Sequence, residues 1–311
     1  MISWDYDTYI ERNYVYTKIH FSKNLIQDGY AMVGTDISLA ARRKFKKIGG
    51  IPLNTPRAVA EEADIVFISV PNSKISLKTT QGKDGYLAFS PGLAPEVVID
   101  TTTSDPNDSR KHALLCKKKK VTYLDGSVSG NSGFVAQREG LFLGGGSKRA
   151  YNKVAPLLGQ MLSDYIYCGK SGSGAELKVT VNYLTTMGRC VISEILRVGL
   201  GCGFSKNFLL DALGRSRVGG WAQFQTQAPL MVHEKFSKPM STLDVQMKDI
   251  QLGVNLANQV GAISPVGDAC IPLYKEGIDA GYGELDGISV YKTYVDRENK
   301  KTKRRSKKTS R

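Results

Sequence analysis

Histidine and cysteine are scarce in this chain, and their scarcity excludes several chemistries at the outset. Three histidines and five cysteines occur among 311 residues. The cysteines stand at positions 116, 168, 190, 202 and 270, odd in number and without a C-x-x-C pair. Zinc sites and disulfide frameworks need closer or more regular spacings, so no metal and no disulfide is expected, and a reducing cytoplasm fits. Long apolar runs are missing too: nothing approaches the roughly 18 residues of a membrane-spanning helix. Residues 1–20 lack an apolar signal core and an Arg-rich presequence, so a cytoplasmic protein with no membrane partner is expected. Glycine is plentiful, at 32 residues, yet none precedes Gly29. What remains is an ordinary globular composition, 41% apolar, with length enough for two domains.

Charge is abundant and unevenly placed. The net charge is +14, and Lys300 to Arg311 supplies eight of those charges, leaving +6 on the rest. The tail KKTKRRSKKTSR has no apolar residue with which to pack, so residues 298–311 are expected to be a disordered basic tail. Such a run can serve as a localisation signal or a nucleic-acid-binding arm. A solvated extension without a specific role is the simpler reading, and any nucleic-acid contact is confined to residues 300–311.

The stretch Gly169 to Tyr183, GKSGSGAELKVTVNY, opens on glycines and turns into a helical pattern. Lys178 and Asn182 are four residues apart, so they share one helix face, one turn apart. A lysine can exchange a proton with a hydroxyl or carbonyl if burial lowers its pKa. An asparagine can hold either form by hydrogen bonds. A solvated helix face bearing an ordinary lysine is the alternative.

A second stretch, LDGSVSGNSGFVAQREGLFLGGG (124–146), bears on that choice. Together the two resemble the β-hydroxyacid dehydrogenase family, typified by 3-hydroxyisobutyrate dehydrogenase. The family's first motif is matched by Asp125, Val128, Ser129, Gly130, Gly140 and Leu141, with Phe134 where the family has alanine. Its second is matched by Gly172, Gly174, Lys178 and Asn182, and its third by Lys248, Asp249 and Leu252. The three follow in family order, and the resemblance runs from about residue 21 to about residue 291.

The residues themselves indicate the architecture. AMVGTD (31–36), ADIVFISV (63–70), VVIDTTT (97–103), the stretch from Thr122 and GLFLGGG (140–146) read as short strands. Helical segments alternate with them, which indicates a doubly wound parallel sheet. The expected fold class is α/β: a Rossmann-type dinucleotide-binding domain over residues 1–167, then an all-α domain over residues 168–297 that binds substrate and dimerises. Helices are expected at 208–213, 221–232, 243–260 and 265–280. Phe236 is a candidate pocket wall and Trp221 a candidate core residue.

In such a sheet Asp36 ends the second strand, where a carboxylate accepts from the adenosine ribose diol and repels a 2′-phosphate. Ile37 offers no cation for that phosphate, so NAD is expected and NADP is less favoured. A helix N-cap aspartate or serine accounts for the same residues and can coexist with that role. The resemblance adds Val70 and Pro71 along the cofactor and Thr103 near the nicotinamide. It fails at the start: the loop glycines should fall near Asn13, Val15 and Lys18, and none is glycine. The best candidate for a first strand is YVYTKI (14–19).

The resemblance therefore implies an NAD-dependent oxidoreductase acting on a small β-hydroxy acid or its semialdehyde. Lys178 would transfer the proton, Asn182 would hold substrate, and Ser129, Gly130 and Asn131 would bind its carboxylate. Lys248 would close the site near cofactor and carboxylate. A homodimer or homotetramer is expected. The alternative is a catalytically impaired or non-catalytic binding protein on the same scaffold, because the glycine-rich loop is absent. A phosphogluconate-type enzyme fits less well, since its K-x-x-x-N-G-I-E-Y pattern is not matched by KVTVNYLTT.

Overall fold

The computed structural model of the chain describes residues 15–130, 132–216 and 220–309. It divides into two compact units, Met1–Val179 and Thr180–Arg311.

The first unit opens with a helix where the sequence offers a strand. Helix α1 spans Val15–Gln27, so most of the expected strand 14–19 is helical. Phe21 and Leu25, one turn apart, are buried with Phe67, Phe142 and Leu158 in one apolar cluster. Burial of that face outweighs the β propensity of the preceding residues. After α1 the chain alternates: β1 Val33–Gly34, α2 Leu39–Lys47, β2 Ile51–Pro52, α3 Pro56–Glu62, β3 Ile65–Ile68, α4 Ser73–Thr79, β4 Val97–Asp100 and α5 Pro106–Lys118. Then come β5 Thr122–Ser129, α6 Ser132–Ala136, β6 Leu141–Gly146, α7 Lys148–Met161, β7 Asp164–Gly169 and α8 Ser173–Gly201. Side chains of Ser38, Thr55, Asn72, Asp105 and Ser147 cap the helices that follow them, the turn chemistry expected of these residue types.

The described strands form two sheets, a parallel β1–β2 pair and a five-stranded sheet in the order β3-β4-β5-β6-β7. Alternate residues feed opposite faces. Phe67, Val97 and Ile99 enter one apolar cluster, and Val66, Ile68 and Val98 the other. Met32 and Val33 divide between the same two clusters, so β1 is buried by the same two layers. One pairing departs from an all-parallel reading: β5 and β6 are antiparallel. The short connection between them carries only the five-residue α6, and a parallel return needs a longer crossover.

Among the described residues of the second unit the regular elements are helices, joined by loops, with one isolated bridge between Thr242 and Asp286. Helices α9 Lys206–Arg215, α10 Ala222–Val232, α11 Leu243–Gln259, α12 Pro265–Asp279 and α13 Val290–Thr309 pack beside the later part of α8. Phe236 is buried in an apolar cluster with Ile192, Phe224 and Tyr291. Trp221, expected in the core, is exposed at the start of α10 and lies against Gly188.

Two expected boundaries move. The division between units falls inside α8 rather than at residues 167 and 168, because the first turn of α8 packs on β5 and β6. The basic tail is not a coil from residue 298, because α13 continues to Thr309. Its beginning is anchored by Arg297 on Glu276 and by Glu298 on Arg197, and lysine and arginine are good helix formers.

Candidate active site

In the first unit, the site residues are set by two elements, β5 and α8. Ser129 ends β5, opposite Leu141 of β6, and is half-buried. Gly130 follows, exposed, with φ +154°, a backbone that side chains disfavour. Asn131 lies outside the described residues. Lys178 lies on α8 and is 9% exposed, so it is not on a solvated face. Asp125, in the middle of β5, is 2% exposed. Its Oδ1 accepts the Gly172 N–H at 2.8 Å and its Oδ2 the Ala175 N–H at 3.0 Å. Burial pushes its carboxyl up to about 6, while these backbone donors pull the other way.

The residues expected along a cofactor lie just beyond strand ends. Asp36 follows β1, and its Oδ1 accepts the Ser38 N–H at 2.7 Å. Ser38 in turn caps α2. Arg42, on α2, donates from Nε to the backbone carbonyl of Asp36 and from Nη1 to Asn54 at 3.3 Å. A guanidinium therefore stands beside Asp36, a feature hidden from the Asp36–Ile37 pair. Val70 and Pro71 follow β3, and Thr103 follows β4. The Val70 N–H donates to Thr102 Oγ1 at 3.2 Å, tying those two loops together. Asp36 and the loops after β3 and β4 thus stand at strand ends, where an open α/β sheet offers room for a ligand. The pyrophosphate side does not fit. Val15 and Lys18, at two of the three positions where glycine is needed, are already inside α1, and Asn13 lies outside the described residues.

In the second unit one carboxylate organises the remaining candidates. Asp249, on α11, is 4% exposed. Its Oδ2 accepts from Asn182 Nδ2 at 2.8 Å and its Oδ1 from Lys248 Nζ at 2.7 Å. Asn182 and Lys248, 66 positions apart in sequence, are thus brought to one group, each with its polar end oriented. Lys178 belongs to the first unit and Asn182 to the second, and α8 carries both. Asp125 and Asp249 were both visible in the sequence as motif members. Their tethering was not, because it depends on which elements pack together.

Two family models match this arrangement in sequence. The NAD-binding domain of 6-phosphogluconate dehydrogenase matches residues 19–169. The NAD-binding domain of NADP-dependent 3-hydroxyisobutyrate dehydrogenase matches residues 172–294. The chain belongs to the β-hydroxyacid dehydrogenase family. Among relatives in that family, a probable mitochondrial 3-hydroxyisobutyrate dehydrogenase of Arabidopsis thaliana is 28% identical over 290 residues, covering 88% of this chain and 83% of the relative. The solved Mycobacterium tuberculosis 3-hydroxyisobutyrate dehydrogenase with L-serine superposes with a TM-score of 0.80 at 22% identity, covering 94% and 98% of the two chains. Psf3 in complex with NADP+ and 2-OPP superposes equally well, at TM-score 0.80 and 16% identity, over 94% and 100%. At these identities the solved structures establish the shared fold, a Rossmann-type domain followed by a helical one. The first family match begins at residue 19, beyond all three positions where the loop glycines are wanted.

Proposed function

We propose that this β-hydroxyacid dehydrogenase is an NAD(P)-dependent oxidoreductase for a small β-hydroxy acid of the 3-hydroxyisobutyrate kind, with NAD preferred over NADP. The observation that carries the reading is the fork at Asp249, which holds Asn182 and Lys248 in fixed orientation. A buried carboxylate spent on two cations or amides is costly unless both are needed in place. In oxidation, Lys178 takes the proton of the substrate β-hydroxyl; in reduction it returns it. Asn182 hydrogen-bonds the oxygen that changes state. Ser129 and Gly130 hold the substrate carboxylate, the glycine allowing close backbone approach, and Lys248 brings a positive charge within its own unit. The nicotinamide ring, when bound, supplies hydride chemistry that no side chain can. Self-association is part of the proposal: Leu184, Val191, Ile195 and Val198 leave an exposed apolar stripe on α8, which suits a second copy in a dimer or tetramer.

A second reading is favoured by α1, whose residues at the loop positions are helical and not glycine. In that reading the chain is a non-catalytic binding protein on a dehydrogenase scaffold. The deciding experiment is steady-state oxidation of 3-hydroxyisobutyrate by the chain and by Lys178→Ala, with NAD binding followed by calorimetry. On the first reading kcat falls by roughly a hundredfold or more in the variant while NAD affinity is unchanged. Turnover untouched by the substitution overturns the role of Lys178. An intact chain that neither binds NAD nor turns over selects the second reading.

A further inference from the structure

One side chain fastens the start of α8 to the sheet. Both carboxylate oxygens of Asp125 are taken by backbone N–H groups 47 and 50 residues further along the chain, at Gly172 and Ala175. The two surfaces meet without any intervening side chain. A Cβ on Gly174 would stand 2.6 Å from the Asp125 carbonyl oxygen, and one on Gly145 would stand 2.6 Å from Asp125 Oδ2. On the strand side, Asp125 precedes Ser129 by four residues; on the helix side, Ala175 precedes Lys178 by three. An anion at a helix N-terminus is favoured both by the unpaired N–H groups and by the helix dipole.

We propose that Asp125 is the positioning residue of Lys178: its carboxylate locks the first turn of α8 to β5 and so sets where the Lys178 ammonium stands relative to Ser129. The proposal rests on Lys178 being the proton-transfer group, but the tether itself can be measured without turnover. Asp125→Asn puts an amide N–H where one carboxylate oxygen accepted, and leaves either the Gly172 or the Ala175 N–H without a partner. The first turn then loosens, and Lys178, 9% exposed, becomes easier to reach. The charged and titratable groups around Asp125 are few. Asp100 sits at the paired register on β4. Tyr123 lies two residues back, its hydroxyl raised by burial, then by Asp100 and Asp125. Cys168, on β7, is raised by burial and then by Asp125. Glu176 and Arg110 form an ion pair beside Gly172, and Lys178 follows on the helix.

The test compares the whole chain with Asp125→Asn at about pH 8, where the carboxyl is ionised, by competitive acetylation with acetic anhydride. Mass spectrometry reads the modification of Lys178 relative to exposed Lys117. The ratio should be roughly fivefold higher in Asp125→Asn than in the wild type, the factor that one hydrogen bond carries. An equal ratio in a folded Asp125→Asn chain overturns the proposal. Amide hydrogen exchange separates a loosened first turn from general destabilisation: peptides over residues 172–178 should exchange faster in the variant while those over β3 and β4 are unchanged, and faster exchange throughout the sheet overturns the proposal. In the wild type the Gly172 and Ala175 amides should be protected, an arm that needs no variant to fold, and exchange at the unprotected rate overturns the tether. None of these results depends on whether Lys178→Ala abolishes turnover, so the two claims fail separately.

Discussion

Substituting Gly174 by alanine should destabilise the protein, although the same change in a solvent-facing helix would stabilise it. Alanine is favoured over glycine inside a helix by about 1 kcal/mol. At Gly174 the added Cβ would meet Leu143 O at 2.5 Å, Asp125 O at 2.6 Å and Gly145 N at 2.8 Å. All three are backbone atoms of β5 and β6, so no side chain can swing aside, and α8 itself must move. Overpacking of this kind costs about 1–3 kcal/mol. Moving α8 also stretches the bonds from Gly172 and Ala175 to buried Asp125, and an unsatisfied buried group costs about 1–3 kcal/mol more. After the helix-propensity gain, a net loss of about 1–5 kcal/mol is expected, or a Tm lower by roughly 2–20 °C for a chain of this size. The control is Gly201→Ala at the far end of the same helix, where nothing lies within 4 Å of the new Cβ. That variant should match the wild type or exceed it by a few tenths of a kcal/mol, roughly the terminal share of the propensity scale. Urea titration followed by circular dichroism compares the three proteins. A Gly174→Ala protein as stable as the wild type would refute the close packing of α8 on the sheet.

Cofactor choice should respond to Asp36 and Arg42 together. The wild-type chain should bind NAD at least about tenfold more tightly than NADP, because the carboxylate repels a 2′-phosphate. Asp36→Ser should narrow or invert that ratio, since Arg42 already stands beside the position. Fluorescence titration with both nucleotides decides it, and tighter NADP binding by the wild type removes the ribose role from Asp36. Acid stability should respond to Asp100. Burial works to raise its carboxyl, yet hydrogen bonds from His112, Ser76 and Thr102 hold it below the ordinary 3.8. A depressed folded value stabilises the fold above the ordinary carboxylate range and loses that contribution as pH falls through the folded value. Asp100→Asn should therefore flatten the acid limb of a plot of urea midpoint against pH, and an unchanged acid slope would discard this account.

The parts of this molecule that depend on neighbours in sequence were legible from the sequence. Short β-branched runs at 65–68 and 97–100 became strands, and the four-residue spacing of Lys178 and Asn182 placed both on α8. The parts that depend on distant packing were not. Nothing near Lys248 announces that Asp249 will reach Asn182 on another helix, and nothing near Asp125 announces Gly172. The direction of β6 was missed for a related reason: a strand's residues specify burial, while its direction follows from the length of the connection before it. Residues 14–19 were read by propensity alone, although Phe21 and Leu25 beyond them decide the local structure by packing. The tail was read by composition, which reports that residues 300–309 cannot form a core but not that they extend a helix anchored upstream.

The fork at Asp249 also bears on how this chain can change over generations. Asn182 and Lys248 share the one carboxylate of Asp249, so the mutational effects of the three residues cannot be independent. Losing Asn182 leaves an oxygen unsatisfied beside Lys248; losing Asp249 leaves an amide and an ammonium unanchored at once. A single replacement at any of the three is therefore judged against the other two, and a path to a new substrate runs more easily through all three positions than through one. Selection meets the trio as a unit.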